Sequence, residues 1–283
     1  MGLLNKSENK SEQLVALLTL RQCSLDQAQF MLKIIVFNSF RGGTGKSNVV
    51  SNVAATLASM GKRVGVMDLD LPSPGIHILF GLNQTEIEHT LNDFLWEDCD
   101  IRSASYDMTS KLLDESVEGC VILSPASMHA EDINRIVQQG YDIDRLSGGI
   151  NAMAEALNLD FLLLDTHPGL NQETLLAMAL ADRLVLLLRP DSQDFQGTAV
   201  SADVSRQLGV PKIFILVNRV LTAINDDQLR DLVTKTYELP ILGILPNADE
   251  VMLLASRDLF CMRYPDHPFS QELQQVCQTL LTV

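Results

Sequence analysis

Short runs of apolar residues, many of them β-branched, alternate along the chain with longer amphipathic stretches. This alternation is typical of βα units, whose parallel strands are buried on both faces of a sheet. The pattern predicts strands at 33–38, 63–68, 120–124, 160–165, 183–189, 212–217 and 241–245. It predicts helices at 46–60, 129–138, 143–158, 171–181, 195–208, 225–236, 248–256 and 270–281. We therefore expect a three-layer α/β fold, with a mainly parallel central sheet of about seven or eight strands flanked by helices.

The segment before the first predicted strand is separate from this alternation. Leucines recur among polar residues over 11–31, which predicts an additional amphipathic helix. No Pro-, Gly- or Ser-rich linker interrupts the 283 residues. The expected organisation is a helical extension over 1–31 followed by one α/β domain over 32–283. The pattern leaves open whether the extension packs on the domain or serves in docking or dimerisation.

Charge is unevenly distributed. The formal net charge is −15, and residues 86–118 hold ten Asp and Glu against Arg102 and Lys111 alone. A surface of this kind repels a phosphate backbone, so nonspecific DNA binding is disfavoured, although a small basic patch would still permit it. The acidic segment contains the single tryptophan, Trp96. Two interpretations of it stay open: a solvated helix pair, or a surface for an unidentified protein partner.

The cysteines and apolar runs indicate the compartment. The five cysteines form no CxxC pair, so the sequence does not support an iron-sulfur or zinc framework and predicts free thiols in a reducing environment. The apolar runs are far shorter than a bilayer span. Residues 270–283 contain no Lys or Arg, so no basic membrane-targeting tail is predicted. We expect a soluble cytoplasmic protein.

The segment 40–47, FRGGTGKS, directly follows the first apolar strand. Glycines let the backbone curl so that successive N–H groups point at a phosphate, while the lysine reaches the β- and γ-phosphates and the serine hydroxyl ligates Mg²⁺. Phe40 stands where the general GxxxxGK[ST] pattern has its first glycine. The predicted phosphate-binding residues are Gly42, Gly43, Thr44, Gly45, Lys46 and Ser47.

Acidic residues follow two other predicted strands. Asp68 and Asp70 end the second strand, and Asp165 ends the fourth. The carboxyl ends of parallel strands share one edge of the sheet, so these carboxylates are expected to converge on the phosphate site. Asp68 and Asp165 are candidates for holding Mg²⁺ together with Ser47. Asp70, farther into the loop, is the candidate for orienting or deprotonating an attacking water.

Together these motifs resemble the ParA/MinD family of deviant Walker A ATPases, within the SIMIBI group of dimerising P-loop NTPases. The resemblance runs from about residue 33 to about residue 265. It rests on RGGTGKS at 41–47, Asp68-x-Asp70, LLLDTHPG at 162–169, LVNR at 216–219 and ILPNADE at 244–250. The resemblance implies a P-loop NTPase fold, ATP and Mg²⁺ as cofactors, and a homodimer that sandwiches two nucleotides.

The resemblance also implies roles for particular residues. Asn218 would read the adenine edge, with Arg219 and Pro246 beside it in the base pocket. Arg41 occupies the position of the family's signature lysine, which reaches the partner's phosphates, so it is a candidate arginine finger acting in trans. Lys46, Asp70 and Arg41 form the predicted catalytic set. His167 is also unusual for this family segment, and the sequence leaves open a sensing or a structural role for it.

Two functions follow from the resemblance. The first is an Mg²⁺-dependent ATPase, slow without a partner, whose nucleotide-controlled dimerisation serves intracellular positioning or partitioning. The alternative is an ATP-binding dimeric scaffold or regulator with negligible hydrolysis. The sequence names neither the partner nor the cargo.

Overall fold

The computed structural model describes residues 32–112 and 117–283. Its strands are β1 (Lys33–Asn38), β2 (Arg63–Leu69), β3 (Tyr106–Asp107), β4 (Cys120–Ser124), β5 (Phe161–Thr166), β6 (Arg183–Leu188), β7 (Lys212–Val220) and β8 (Ile241–Pro246). In the described part of the chain they form one eight-stranded sheet in the order β3-β4-β2-β5-β1-β6-β7-β8. Every pairing is parallel except that of β3 with β4. The predicted α/β class and mainly parallel sheet are confirmed.

Helices connect the strands. They are α1 (Lys46–Ser59), α2 (Ile76–Leu79), α3 (Leu91–Leu95), α4 (Thr109–Leu112), α5 (Ala130–Gln139), α6 (Ile143–Leu157), α7 (Gln172–Leu180), α8 (Ser192–Gln207), α9 (Asp226–Tyr237), α10 (Asp249–Leu253), α11 (Phe260–Arg263) and α12 (Pro268–Thr282). The extension predicted over 1–31 lies outside the described residues. No helix in the described ranges is long and apolar enough to cross a bilayer.

Several predicted boundaries are wrong, and capping explains one of the shifts. Helix α8 begins at Ser192 rather than 195, because the Asp191 carboxylate accepts hydrogen bonds from the backbone N–H groups of Gln193 and Asp194. Helix α10 ends at Leu253, short of the predicted 256. Strand β7 continues to Val220, past the predicted 217, through a register shift against β8.

The sheet carries a separate apolar core on each face. Strand β1 shows the division: Ile34 and Val36 join one core, and Ile35 and Phe37 join the other. Side chains alternate across a strand, so a strand covered on both faces is apolar at every position. Helices α1, α2, α11 and α12 contribute to the core with Ile35, while α3 and α5–α9 contribute to the core with Ile34. This arrangement is the predicted three-layer fold.

The position of β1 determines where the site lies. β1 pairs with β5 on one side and with β6 on the other. The chain nevertheless continues from β1 to β2, which lies on the far side of β5, whereas β6 is followed by its neighbour β7 on the opposite side. Connections therefore leave β1 and β6 toward opposite ends of the sheet, and the crevice at such a reversal binds ligands in open α/β sheets. The loop 39–45 begins at this point.

The described part of the acidic segment 86–118 is not a simple helix pair, which was one of the two interpretations that the sequence left open. Its described part contains α3, α4 and the two-residue strand β3, which pairs antiparallel with β4 at the sheet edge. Side-chain bonds brace these short elements: Tyr106 Oη accepts from the backbone N–H groups of Glu88 and His89, and Lys111 Nζ lies 2.9 Å from Glu86 Oε1. Such fixed local contacts produce a turn-rich cap over the edge of the sheet.

Adjacent glycines in α6 give opposite expectations for stability. Gly148 is exposed with open space around it, so Gly148→Ala should stabilise the fold by about 0.5–1 kcal/mol through helix propensity. A Cβ at Gly149 would lie 2.4 Å from Cε1 of the Phe94 ring, and the guanidinium carbon of Arg145 lies 4.5 Å from the centre of that ring. Gly149→Ala should therefore destabilise the fold by about 1–3 kcal/mol. Urea denaturation of both variants measures the two changes, and a stabilised Gly149→Ala protein would contradict this packing.

Candidate functional site

The loop between β1 and α1 has the conformation of a phosphate cradle. Gly43 and Gly45 have φ of 80° and 89°. Gly45 occupies the N-cap of α1 and provides no side-chain cap, so the first N–H groups of a 14-residue helix stay free to meet an anion. Positive φ costs other residues energy, which explains glycine at both positions. The sequence prediction placed this loop correctly between a strand and a helix.

Asn218, at the end of β7, braces the loop. Its Nδ2 donates to the Thr44 carbonyl at 2.8 Å, and its Oδ1 accepts from the Arg219 N–H at 2.9 Å. The contact is so close that a Cβ at Gly45 would lie 2.7 Å from Nδ2. One N–H and one lone pair of the amide remain for a ligand. Asn218 therefore supports the phosphate loop, and its predicted role in reading adenine stays a prediction.

Lys46 is buried and pairs with Asp165. The lysine side chain is 4% exposed and the aspartate is fully buried, and Nζ contacts Oδ1 directly. The other carboxylate oxygen, Oδ2, is buried and has no hydrogen-bond partner in the described ranges. Helix α1 supplies the lysine and β5 supplies the carboxylate, so the pair links the phosphate loop to the sheet.

Asp68 lies next to Asp165 across the β2–β5 pairing. It is fully buried, its Oδ1 accepts from the Asp70 N–H at 3.1 Å, and its Oδ2 accepts from the Gly75 N–H at 3.3 Å. The pKa of Asp68 is raised to about 8, first by burial and then by the nearby charges of Asp165 and Asp70. A group of acids packed this closely attracts a cation.

The residues present fit a magnesium ion bound through few protein ligands. The evidence is the unpartnered Oδ2 of Asp165. No group of three or more His, Cys, Asp and Glu among the described residues has metal-binding geometry. Mg²⁺ commonly takes one or two carboxylates, keeps several waters, and completes its shell with substrate phosphates. Asp165 and Asp68, with the Ser47 hydroxyl, suit that mode.

Asp70 is bonded to His167. The distance between His167 Nδ1 and Asp70 Oδ1 is 2.6 Å, with side-chain exposures of 34% and 14%. Burial raises the pKa of Asp70, and the hydrogen bond from His167 opposes that effect. The two residues lie on the loops that follow β2 and β5. His167 therefore holds the carboxylate that the sequence assigned to the attacking water.

Hydrogen bonds tie the loop after β5 to the start of the phosphate loop. Asn38 Nδ2 donates to Thr166 Oγ1 at 3.2 Å and to the Gly169 carbonyl at 3.1 Å. The Gly169 N–H donates to the Ser39 carbonyl at 2.8 Å. These bonds hold the two loops next to each other.

Phe40 is anchored on α8. The ring lies so close to Gly197 that a Cβ there would be 2.1 Å from Cδ1 of Phe40. A side chain at 40 thus takes a defined place beside the helix backbone. This contact accounts for the aromatic residue where the general pattern has glycine.

Arg41 lies beside two aspartates of its own chain. Its Nη1 is 3.5 Å from Asp194 Oδ1 and 3.9 Å from Asp191 Oδ1, and the side chain is 43% exposed. Asp194 is 2% exposed and also forms an ion pair with Arg189, whose Nε lies 2.9 Å from Asp194 Oδ2. Burial alone would raise the pKa of Asp194, but its bonds with Arg189 and the charges of Arg189 and Arg41 lower it. Arg41 is thus a secondary partner of Asp194.

A cavity of about 420 Å³ opens beside the loop. Its lining includes Gly45, Asn48, Asn218, Arg219, Pro246 and Met252. The volume is within the range of small-molecule sites. The structure thus brings the predicted base-pocket residues to one cavity next to the predicted phosphate-binding residues.

Four residues that support the site were not predicted from the sequence. Asn38, Gly197 and Asp194 contact the loops from positions distant in sequence, and Arg189 acts on the phosphate loop only through its ion pair with Asp194. Asn38 did offer a partial signal, since a polar residue ends an otherwise apolar strand. The contacts of the other three depend on how α8 packs.

Comparison with known proteins identifies the family. The sequence model of the ParA family, described as NUBPL iron-transfer P-loop NTPase, matches residues 31–281. The chain therefore belongs to the ParA family of P-loop NTPases, as its motifs predicted. An uncharacterised ATP-binding protein of Methanocaldococcus jannaschii is 27% identical over 248 residues, which are 87% of each chain.

Solved structures share the fold. MinD of Pyrococcus horikoshii, in complex with Mg-ADP, superposes with a TM-score of 0.73 at 21% identity, covering 89% of this chain and 96% of that one. The MinC:MinD cell division complex of Aquifex aeolicus contains a chain that superposes with a TM-score of 0.74 at 18% identity, with coverages of 89% and 96%. The P-loop NTPase fold of the MinD and ParA type is thus confirmed.

The two left-handed glycines of the loop provide a test of its packing. Gly43→Ala should cost roughly 1–2 kcal/mol from the positive φ alone, because open space surrounds Gly43. Gly45→Ala should cost more, since its methyl also meets Asn218. Equilibrium denaturation measures both losses. In an Asn218→Ala background the two glycine substitutions should become similar in cost, and an undiminished difference would contradict the assigned contact.

Proposed function

We propose that this protein binds Mg²⁺-ATP and hydrolyses it to ADP and phosphate, and that ATP controls its homodimerisation. In this proposal the dimer is a switch in intracellular positioning or partitioning, with an unidentified protein partner. The observation that carries the ATPase proposal is the buried contact of Lys46 with Asp165, beside Asp68 and under the phosphate loop. MinD of P. horikoshii, which has the same fold, binds Mg-ADP.

The phosphates would lie against the loop 42–47. Its N–H groups and the N-terminus of α1 stabilise phosphate oxygens, and Lys46 supplies the mobile positive charge. Lys46 moves from Asp165 toward the β- and γ-phosphates, so Asp165 becomes available for the metal. Bound Mg²⁺ would neutralise the negative charge that develops on the phosphate oxygens. Ser47, Asp68 and Asp165 are the residues of this chain that would hold it directly or through water.

Asp70 is the proposed catalytic carboxylate. It orients the water that attacks the γ-phosphorus and accepts a proton from it, while ADP leaves with the electrons of the broken P–O bond. His167 positions Asp70 through the 2.6 Å contact. Because the loop with His167 is tied to Asn38 and Ser39, a change at the phosphate loop reaches this pair.

Arg41 is proposed to act on the partner subunit's nucleotide. Its contacts with Asp191 and Asp194 are long and partly exposed, and such ion pairs contribute about 0–1 kcal/mol. Asp194 keeps Arg189 when Arg41 leaves, so no buried charge is left unpaired. Arg41 is therefore free to exchange its own aspartates for phosphate oxygens across a dimer.

Iron transfer, which the family description names, has less support from the residues. Of the described cysteines, Cys120, Cys261 and Cys277 are buried and Cys99 is partly buried. Burial raises the pKa of Cys99 and of Cys261 to about 11, and thiols in that state are poor metal ligands at neutral pH. The alternative that we retain is an ATP-binding dimeric scaffold or regulator with negligible turnover.

Phosphate release distinguishes the ATPase from the scaffold. The intact protein with ATP and Mg²⁺ should release phosphate slowly, and Asp70→Asn should reduce the rate by about 10²-fold or more while ATP still binds. Lys46→Ala should weaken ATP binding itself. Turnover that is indistinguishable between the intact protein and Asp70→Asn, with ATP binding retained, would favour the scaffold.

Arg41→Ala should leave monomer ATP affinity within about threefold, because the residue faces its own aspartates in the monomer. The substitution should abolish ATP-dependent dimerisation or turnover, because the phosphates of the nucleotide bound to the partner subunit lose a cation. Sedimentation of the Asp70→Asn protein with ATP, with and without Arg41→Ala, measures the dimer. Arg41→Lys is the matched control and should retain dimerisation. Normal dimerisation and turnover in Arg41→Ala would contradict the proposed role.

A further inference from the structure

A second, smaller cavity lies away from the nucleotide site, at the carboxyl end of β4. It has a volume of about 150 Å³ and lies between α2, the start of α3 and the loop that leads into α5. Pockets for whole small-molecule ligands are usually about 300–1,000 Å³. This cavity is the size of a single long side chain. We call it the β4 pocket.

Three of the eleven residues that line the β4 pocket carry carboxylates. Glu88, Asp93 and Asp132 all line it, and the residues around it in the described part of the chain include no lysine or arginine. It belongs to the acidic side of the protein, where residues 86–118 hold ten acids and two bases. Of those bases, Lys111 already pairs with Glu86. The pocket thus complements a positive charge.

Two of the three carboxylates are held in place before any ligand arrives. Asp93 Oδ2 accepts from the Thr90 N–H at 2.6 Å and from Thr90 Oγ1 at 2.8 Å. Asp132 Oδ2 accepts from Ser127 Oγ at 2.6 Å, and the Ser127 N–H donates to Asn92 Oδ1 at 2.8 Å. Each aspartate thus has one oxygen engaged and one without a hydrogen bond to another described residue. Preorganised acceptors reduce the entropy cost of binding.

His77 gives an independent indication of a ligand. It lines the same pocket and is only 2% exposed, and its Nδ1 has no hydrogen-bond partner in the described ranges. An unpaired buried polar atom costs about 1–3 kcal/mol, so such atoms usually have a partner. Burial lowers the pKa of His77, which favours the neutral imidazole, and a neutral imidazole has one acceptor nitrogen. A donor from a ligand would satisfy it.

Apolar side chains are exposed next to these acceptors. Met128 lines the pocket and is 43% exposed, and Ile78, which follows His77, is 46% exposed. Long basic side chains combine an aliphatic stem with a charged head, and they pack the stem on apolar surface. The small volume, the acidic lining and the apolar neighbours together match that chemistry.

We propose that the β4 pocket is a docking site for a basic side chain, arginine in particular, presented by a peptide segment of a partner protein. The guanidinium lies among Glu88, Asp93 and Asp132, and the residues flanking the arginine rest on Ile78 and Met128. Arginine is favoured because its planar fork donates to several acceptors at once. The site does not depend on nucleotide, so it stands or falls separately from the ATPase proposal.

The test uses the full chain without nucleotide, labelled with ¹³C at the methionine methyl groups, and the peptide acetyl-Leu-Arg-Leu-amide. The Met128 methyl signal is assigned by its loss in the Met128→Leu variant. Titration with the peptide should shift this signal, and the shift should saturate. The matched peptide with citrulline in place of arginine has the same shape without the charge. It should bind at least about tenfold more weakly, the effect of losing one charge-assisted hydrogen bond.

Glu88→Gln is the informative variant, because Glu88 is exposed and its substitution is expected to leave the fold intact. The substitution should weaken binding of the arginine peptide by about threefold or more. Glu97→Gln makes the same charge change at an exposed position outside the pocket and should have no effect. Three results would overturn the proposal. The citrulline peptide could bind as tightly as the arginine peptide, the two variants could weaken binding of the arginine peptide equally, or the Met128 methyl signal could show no saturable shift. A shift produced by Mg²⁺ alone, with none from the peptide, would identify a cation site and overturn it as well.

Discussion

The contact between Lys46 and Asp165 is the interaction on which the site depends. A buried charge is stable only when it is paired, and breaking such a pair costs about 3–5 kcal/mol. Helix α1 and strand β5 are therefore held together at the point where the phosphate loop crosses the sheet. The same pair leaves one oxygen of Asp165 unpartnered beside the buried Asp68. The fold thus concentrates negative charge around a single lysine, and nucleotide phosphates with a metal ion are the chemistry that such an arrangement accommodates.

The loops around this pair form one connected unit. Asn218 supports the phosphate loop from β7, and Asn38 connects the loop to the segment after β5. That segment reaches Asp70 through His167. Each link is a hydrogen bond between elements that are distant in sequence. An event at the phosphates therefore has a short physical path to the proposed catalytic carboxylate.

Helix α8 explains why the loop departs from the general pattern. Phe40 rests on the helix backbone at Gly197, and Arg41 faces Asp191 and Asp194 at its start. The aromatic contact fixes the loop, while the long ion pairs of Arg41 are weak enough to exchange. The β4 pocket lies elsewhere along the sheet edge, so the proposed partner site and the nucleotide site occupy separate surfaces of one chain.

The sequence by itself determined the α/β class, the order of the main strands and helices, and the family, because apolar periodicity and the motif at 41–47 are local properties of the chain. It also selected Asp68, Asp70 and Asp165, since residues at the ends of parallel strands share one edge. Only the tertiary structure decided that Asn218 braces Thr44, that His167 holds Asp70 and that Gly197 receives Phe40. The short elements α2, α3, β3, α4 and α11 also escaped prediction. A helix of four or five residues or a two-residue strand is too short to show a period, and tertiary contacts stabilise it.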